Sequence, residues 1–231
     1  EDYARQPFYG LNQLPSFLSP FSNELMFELK FLKTYLNNYL KENLNLNQRR
    51  DYWIYDGIQM FIMMQYADEY FPELKMTGNV ANLKILKSYH FINLDFNQQY
   101  NYLYMLMARK NLDQALNEPK NRLIKFNEQI ASKYRAGLSL KYLDSYLGND
   151  IVHNTIKEYI QENQFLGTNS RQFETILIKN SPKDINWFFR TVVETRDLID
   201  YKFGKVTKTK DSISVNIINK TNTNVPISLY Q

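Results

Sequence analysis

Arg50-Asp51-Tyr52-Trp53-Ile54-Tyr55-Asp56-Gly57-Ile58-Gln59-Met60-Phe61-Ile62-Met63-Met64-Gln65-Tyr66-Ala67-Asp68-Glu69-Tyr70 has no charged residue between Asp56 and Asp68. Ile54, Ile58, Phe61, Ile62, Gln65 and Tyr66 recur at the three-or-four spacing of one helix side. Met60, Met63 and Met64 widen the apolar surface until little polar face is left, so this helix belongs inside, covered on most sides. Phe71-Pro72 ends it, because proline disfavours helix at the residue before it. A chain with such a helix must supply others to wrap it. The Met-rich side could serve as an adaptable binding surface, but ordinary core is the simpler account.

The wrapping helices are legible on both sides. Upstream, Leu25, Leu29, Leu32, Leu36 and Leu40 mark an amphipathic helix over 24–43, with Ser22 or Asn23 as cap. Residues 1–22 read as irregular, broken by Pro7, Gly10, Pro15 and Pro20, and 43–48 as a polar break. Downstream, helices are expected over 79–88, 96–109, 111–117, 121–132, 134–147, 150–163, 170–179 and 183–194. Asn97 and Asp150 are candidate caps, and Gly148 is a C-terminal stop. After Asp200 the pattern changes. Ser212–Ile218 alternates like a strand, Asn219–Asn224 is turn-rich, and Val225–Tyr230 is expected to be the second strand of a hairpin. The expected organisation is a mainly α body over 1–200 and a β-hairpin, or the start of a following β-domain, over 201–231. The chain opens at Glu1 without an initiator Met, and both ends read as text from inside a longer protein.

Composition narrows the chemistry. The chain has no Cys, which excludes disulfides, cysteine nucleophiles and thiolate metal sites. The net charge of +4 is spread along the sequence, without the basic face and interleaved stacking aromatics that nucleic acid requires. The many Tyr and Phe fall at helical spacing, which favours core packing. No run is long and apolar enough for a membrane span. Nucleotide-binding glycine loops and the serine-hydrolase elbow are also missing from the sequence. His90 and His153 are the only histidines and stand far apart.

Three patterns in order resemble the aminopeptidase N family of gluzincin zinc peptidases. Trp53-Ile54-Tyr55-Asp56-Gly57 resembles its W-L-x-E-G motif, Tyr134-Arg135-Ala136-Gly137-Leu138 its Y-x-K-G-A motif, and Asp184-Ile185-Asn186-Trp187-Phe188-Phe189 its D-L-x-W-F-F segment. The resemblance covers most of 20–231 and implies the helical C-terminal lobe of a thermolysin-like catalytic domain. It makes Trp53, Gly57, Tyr134 and Gly137 candidates for lining a cleft. Asp56 would stand at the third zinc-ligand position, and Tyr134 at that of the oxyanion-stabilising tyrosine.

The same resemblance shows what is lost. The family needs a histidine pair one turn apart on the preceding helix. Matching Tyr35-Leu36-Asn37-Asn38 to the family's W-F-G-N puts Leu29 and Lys33 at the histidine positions and Lys30 at the general base. A shift by one gives Glu28, Leu29 and Leu32, which is no better. The expectation is therefore a vestigial site without zinc or another cofactor, with Asp56 and Tyr134 as its remnants, no catalysis, and a binding role toward a peptide or protein. Two alternatives stay open. The segment could belong to an active zinc aminopeptidase whose ligands lie elsewhere in the chain, or be an unrelated all-α interaction domain. The bacterial cell envelope is the expected location, on composition alone.

Overall fold

The computed structural model describes residues 21–78 and 93–227, and the architecture follows from how its helices cover the apolar stretch quoted above. The expected helix 79–88, His90, most of the irregular 1–22 segment and the end of the 225–230 strand lie outside the described residues.

Helix α1 (Asn23–Asn43) starts at Ser22, whose hydroxyl accepts the Leu25 N–H at 3.2 Å. It buries Leu25, Leu29, Leu36 and Leu40. Helix α2 (Tyr52–Tyr70) is buried on nearly every side, as its uncharged middle requires. The two run antiparallel. Gln59 donates to the Lys33 carbonyl at 2.8 Å, and Tyr66 donates to Glu28 at 3.1 Å. In the 43–48 break, strand β1 (Asn45–Leu46) forms a two-residue parallel ladder with β2 (Gly167–Thr168).

Helix α4 (Ser132–Leu147) packs along α2 in the parallel sense, with α3 (Gln98–Arg109) beside it. The α2–α4 approach is made by small residues. A Cβ on Gly137 would lie 2.4 Å from the Met60 Cβ, and one on Gly57 would lie 3.4 Å from the Ala136 Cβ. Helices α5 (Ile151–Glu162) and α6 (Ser170–Asn180) complete the core, in which Trp53, Phe61, Leu140, Tyr159, Phe173 and Phe188 are buried.

Several expectations change. Residues 111–117 are irregular, with Asn111 at φ 55°. Their backbone is taken by other partners: Asn127 donates to the Leu112 carbonyl, Arg135 donates to that of Gln114, and the Leu116 N–H goes to the Val193 carbonyl. The expected 121–132 and 134–147 helices join into one run through a π-helical stretch, Asn127–Ala131. The 183–194 helix is mostly a π-helical segment, Phe188–Val193. Asn97 precedes α3 without capping it; its amide donates to the Met64 carbonyl and the Asp68 carboxylate. Asp150 precedes α5 in a left-handed conformation, also without a side-chain cap.

The hairpin is real, but its partners differ from the expectation. Strand β4 (Ile213–Asn219) pairs antiparallel with the preceding strand β3 (Tyr201–Lys208), and the described part of the other expected strand, 225–227, is not in a strand. Thr209 and Ser212 close the turn through side-chain and backbone hydrogen bonds, which makes the shorter connection available. Residues 223–225 are instead tied to the Tyr201 hydroxyl, which accepts the Val225 N–H at 3.2 Å. The body is therefore mainly α with a small β-hairpin. No helix among the described residues is long and apolar enough to cross a membrane.

Candidate functional site

The residues singled out from sequence gather mostly on the α2–α4 seam. Gly57 and Gly137 form its closest approach. Asp56 sits at the edge of that seam, its side chain 16% exposed, with the Lys133 ammonium 3.9 Å away. Burial pushes the Asp56 carboxyl above its ordinary range, while Lys133, Lys120, Lys41 and Lys33 pull it back down. Lys133 of α4 is within ion-pair distance of this carboxylate, while Lys33 and Lys41 of α1 and Lys120 act on it through their charge.

Tyr134 adjoins this cluster in sequence, but its ring goes elsewhere. It is buried with Leu36, Met60, Met63, Met64 and Tyr100, and its ring meets Tyr100 edge-on at 4.9 Å. Trp53 leaves the seam altogether. Its indole N–H donates to the Ser170 hydroxyl at 3.1 Å, and its ring packs edge-on against Phe173. Ser170 in turn donates to Asp51 through both its N–H and its hydroxyl, so the Asp51 carboxylate caps α6 from the start of α2.

The donor set at these positions does not fit zinc. Leu29 is apolar core among Phe21, Leu25, Ala67 and Phe96. Lys30 and Lys33 carry ammonium groups that repel a dication, and Asp56 is a single carboxylate beside Lys133. No group of three or more His, Cys, Asp or Glu side chains comes together among the described residues. His153, on α5, lies near Asp144 and helps hold down its carboxyl, which burial raises.

A second feature has the dimensions of a binding site. A trough of about 720 Å³ runs between α3, α4 and residues 197–200. Met105, Leu138, Leu198 and Ile199 supply apolar walls, and Asn101, Arg109 and Asp197 supply polar edges.

Its floor carries Arg135, a residue sequence reading passed over as the variable position of a motif. The Arg135 guanidinium is buried and donates to the carbonyls of Gln114 at 2.6 Å, Val192 at 3.0 Å and Thr195 at 2.7 Å. The buried Asp113 carboxylate lies 3.5 Å away, and the Tyr104 ring stacks at 5.8 Å. Arg135 thus caps the end of the 188–193 helix and fixes one wall of the trough. The signal was available. Arg135 shares an i+4 row with Ser139 and Leu143, and a cation on a core-facing row needs fixed partners.

No family model, curated protein or solved structure matches the chain.

Proposed function

We propose that this chain is a non-catalytic binding domain, built like the helical lobe of an aminopeptidase N-like peptidase whose metal site has been replaced by lysines. The observation that carries this reading is the Asp56 cluster. The one candidate ligand carboxylate is paired with Lys133 and lies in the field of further lysines, and the remaining ligand positions are apolar core or cationic. In this reading the trough beside α4 receives an extended peptide or protein segment. Leu198 and Ile199 face apolar side chains of that segment, and Asn101, Arg109 and Asp197 meet its polar groups.

The test is fluorescence anisotropy with a labelled peptide library. Leu198 and Ile199 are half-exposed, so Leu198→Glu and Ile199→Glu leave the fold intact. Each is expected to weaken the selected peptides about tenfold, or about 1.4 kcal/mol. Peptides that bind both variants as tightly as the parent would remove the trough from the account.

A second reading, an all-α interaction domain unrelated to those peptidases, is favoured by the position of Tyr134, which is buried against methionines instead of opening into a cleft.

A further inference from the structure

The β3–β4 hairpin leaves an apolar face open to water. Opposite residues of an antiparallel pair share a face, and the register sets Phe203 against Ile217, Val206 against Val215, and Lys208 against Ile213. Between Phe203 and Val206 the ladder slips, so Gly204 and Lys205 lie where β4 has only Asn216. Simple alternation would put Phe203 and Val206 on opposite faces; the bulge brings them onto one. That face is Phe203, Val206, Ile213, Val215 and Ile217. Phe203 is 68%, Val206 56% and Ile213 48% exposed, and Val215 and Ile217 are half-buried. The other face carries Lys202, Thr207, Ser214, Asn216 and Ile218.

The base of the hairpin is tied down. The Tyr201 hydroxyl donates to the Thr223 carbonyl at 3.1 Å, and Lys220 pairs with Asp200 at 2.6 Å. The strands then carry the 209–212 turn about 20 Å from that anchor, at ~3.3 Å per residue. This segment also holds the charge. Residues 201–220 contain five lysines and one aspartate, and the 23 basic and 23 acidic residues of the rest of the chain cancel. The net +4 is therefore not spread along the sequence but sits on the hairpin. Lys202, Lys205, Lys208 and Lys210 are exposed and have no ion-pair partner among the described residues.

We infer that the hairpin docks on an anionic phospholipid surface, with its apolar face among the lipids and its lysines at the headgroups. An apolar face rimmed by lysines is the chemistry of a segment that lies in a membrane interface. The lysine stems reach along the apolar residues and keep their ammonium groups at the phosphates. The open edges of a two-stranded ladder need water or headgroups as partners, so the hairpin lies at headgroup level and does not enter the hydrocarbon. Charge excludes a second copy of this chain as the occupant, because its hairpin would bring the same five lysines against these. Nucleic acid suits the lysines but not the face: Val206, Ile213, Val215 and Ile217 offer no ring on which bases stack.

Co-sedimentation with lipid vesicles tests the inference. The protein is expected to pellet with vesicles of equimolar phosphatidylglycerol and phosphatidylcholine, and to stay in solution with phosphatidylcholine alone. A lysine at an anionic surface is worth about fivefold in partitioning, so Lys205→Gln with Lys208→Gln should weaken binding about 25-fold. Phe203→Thr, which keeps a strand-forming residue, should weaken it about tenfold. Phe203→Trp should bind as the parent does, with its added fluorescence shifted to the blue on the vesicles. All three should keep the parent's circular dichroism spectrum, since these side chains are exposed. No pelleting with the anionic vesicles, equal pelleting with the neutral ones, an emission that the vesicles leave unshifted, or binding that the substitutions leave unaltered would each overturn the inference. Tighter, lysine-dependent binding to duplex DNA or to polyglutamate would overturn it as well, and would give the hairpin to nucleic acid or to an acidic protein.

Discussion

Substituting alanine at Gly137 and at Gly57 should give opposite results, although both glycines lie in helices on the same seam. At Gly137 the added Cβ falls 2.4 Å from the Met60 Cβ. Carbon atoms in contact prefer about 3.5–4.0 Å, so α2 and α4 must part by about 1.3 Å. The obstructing atom is attached directly to the α2 backbone and cannot swing aside. Overpacking of this kind costs about 1–3 kcal/mol, and the parting of the helices loosens Met64 and Tyr134 as well. Alanine's better helix propensity returns about 1 kcal/mol. The net expectation for Gly137→Ala is a loss of up to about 2 kcal/mol. At Gly57 the nearest atom is the Leu140 Cδ1 at 3.3 Å, the end of a flexible side chain. There the propensity gain offsets the small repacking, and Gly57→Ala should lie within about 0.5 kcal/mol of the parent or above it. Thermal melts should place Gly137→Ala below Gly57→Ala, by up to about 8 °C at ~2–4 °C per kcal/mol for a chain of this size. If Gly137→Ala melts at or above Gly57→Ala, the close α2–α4 approach is wrong.

Arg135→Met should destabilise the fold by about 3–5 kcal/mol in urea unfolding, because it strands the buried Asp113 carboxylate and frees three carbonyls at once. Arg135→Lys should recover little of this, since one ammonium cannot reach acceptors spread over that fork. Asp51→Ala should cost about 1–2 kcal/mol by removing the acceptor for the Ser170 N–H and hydroxyl. Asp56 gives a pH signature. Its carboxyl titrates higher in the folded state than in the unfolded one, so the folded state holds the extra proton. Its contribution to stability is therefore greatest below the ordinary carboxylate range and is lost as pH rises through the raised value. Asp56→Asn should abolish that part of the slope and be at least as stable as the parent at neutral pH. Equal slopes in urea titrations of the two proteins would contradict this.

The helices around α2 were legible because their apolar rows follow the helical period, and the glycines of the seam because they stand inside otherwise regular helices. The 111–117 segment was not legible. Its backbone groups are held by Asn127 and Arg135, which come from later in the chain, and local pattern carries no trace of them. The hairpin's pairing was missed for a related reason. Val225–Tyr230 has strand-like composition, but the Thr209–Ser212 turn brings the nearer segment, 201–208, to Ile213–Asn219 first. On α1 the leucine row was legible as the apolar one, but the general reading that Tyr and Phe pack in the core does not hold for Phe27, Phe31, Tyr35 and Tyr39, which lie exposed because the leucines already fill the inner side. Among the site residues, Asp56 was recognisable as a lone carboxylate. The lysines around it come from three separated parts of the chain and become a cluster only through the fold.

The claim that the Asp56 cluster has replaced a metal centre is tested most directly by turnover. The protein is incubated with excess zinc and a panel of aminoacyl-anilides, with and without a chelator. The account predicts release of the aniline at the rate of buffer alone, identical in the parent and in Asp56→Asn. Hydrolysis above that rate, abolished by the chelator and by Asp56→Asn, would contradict it.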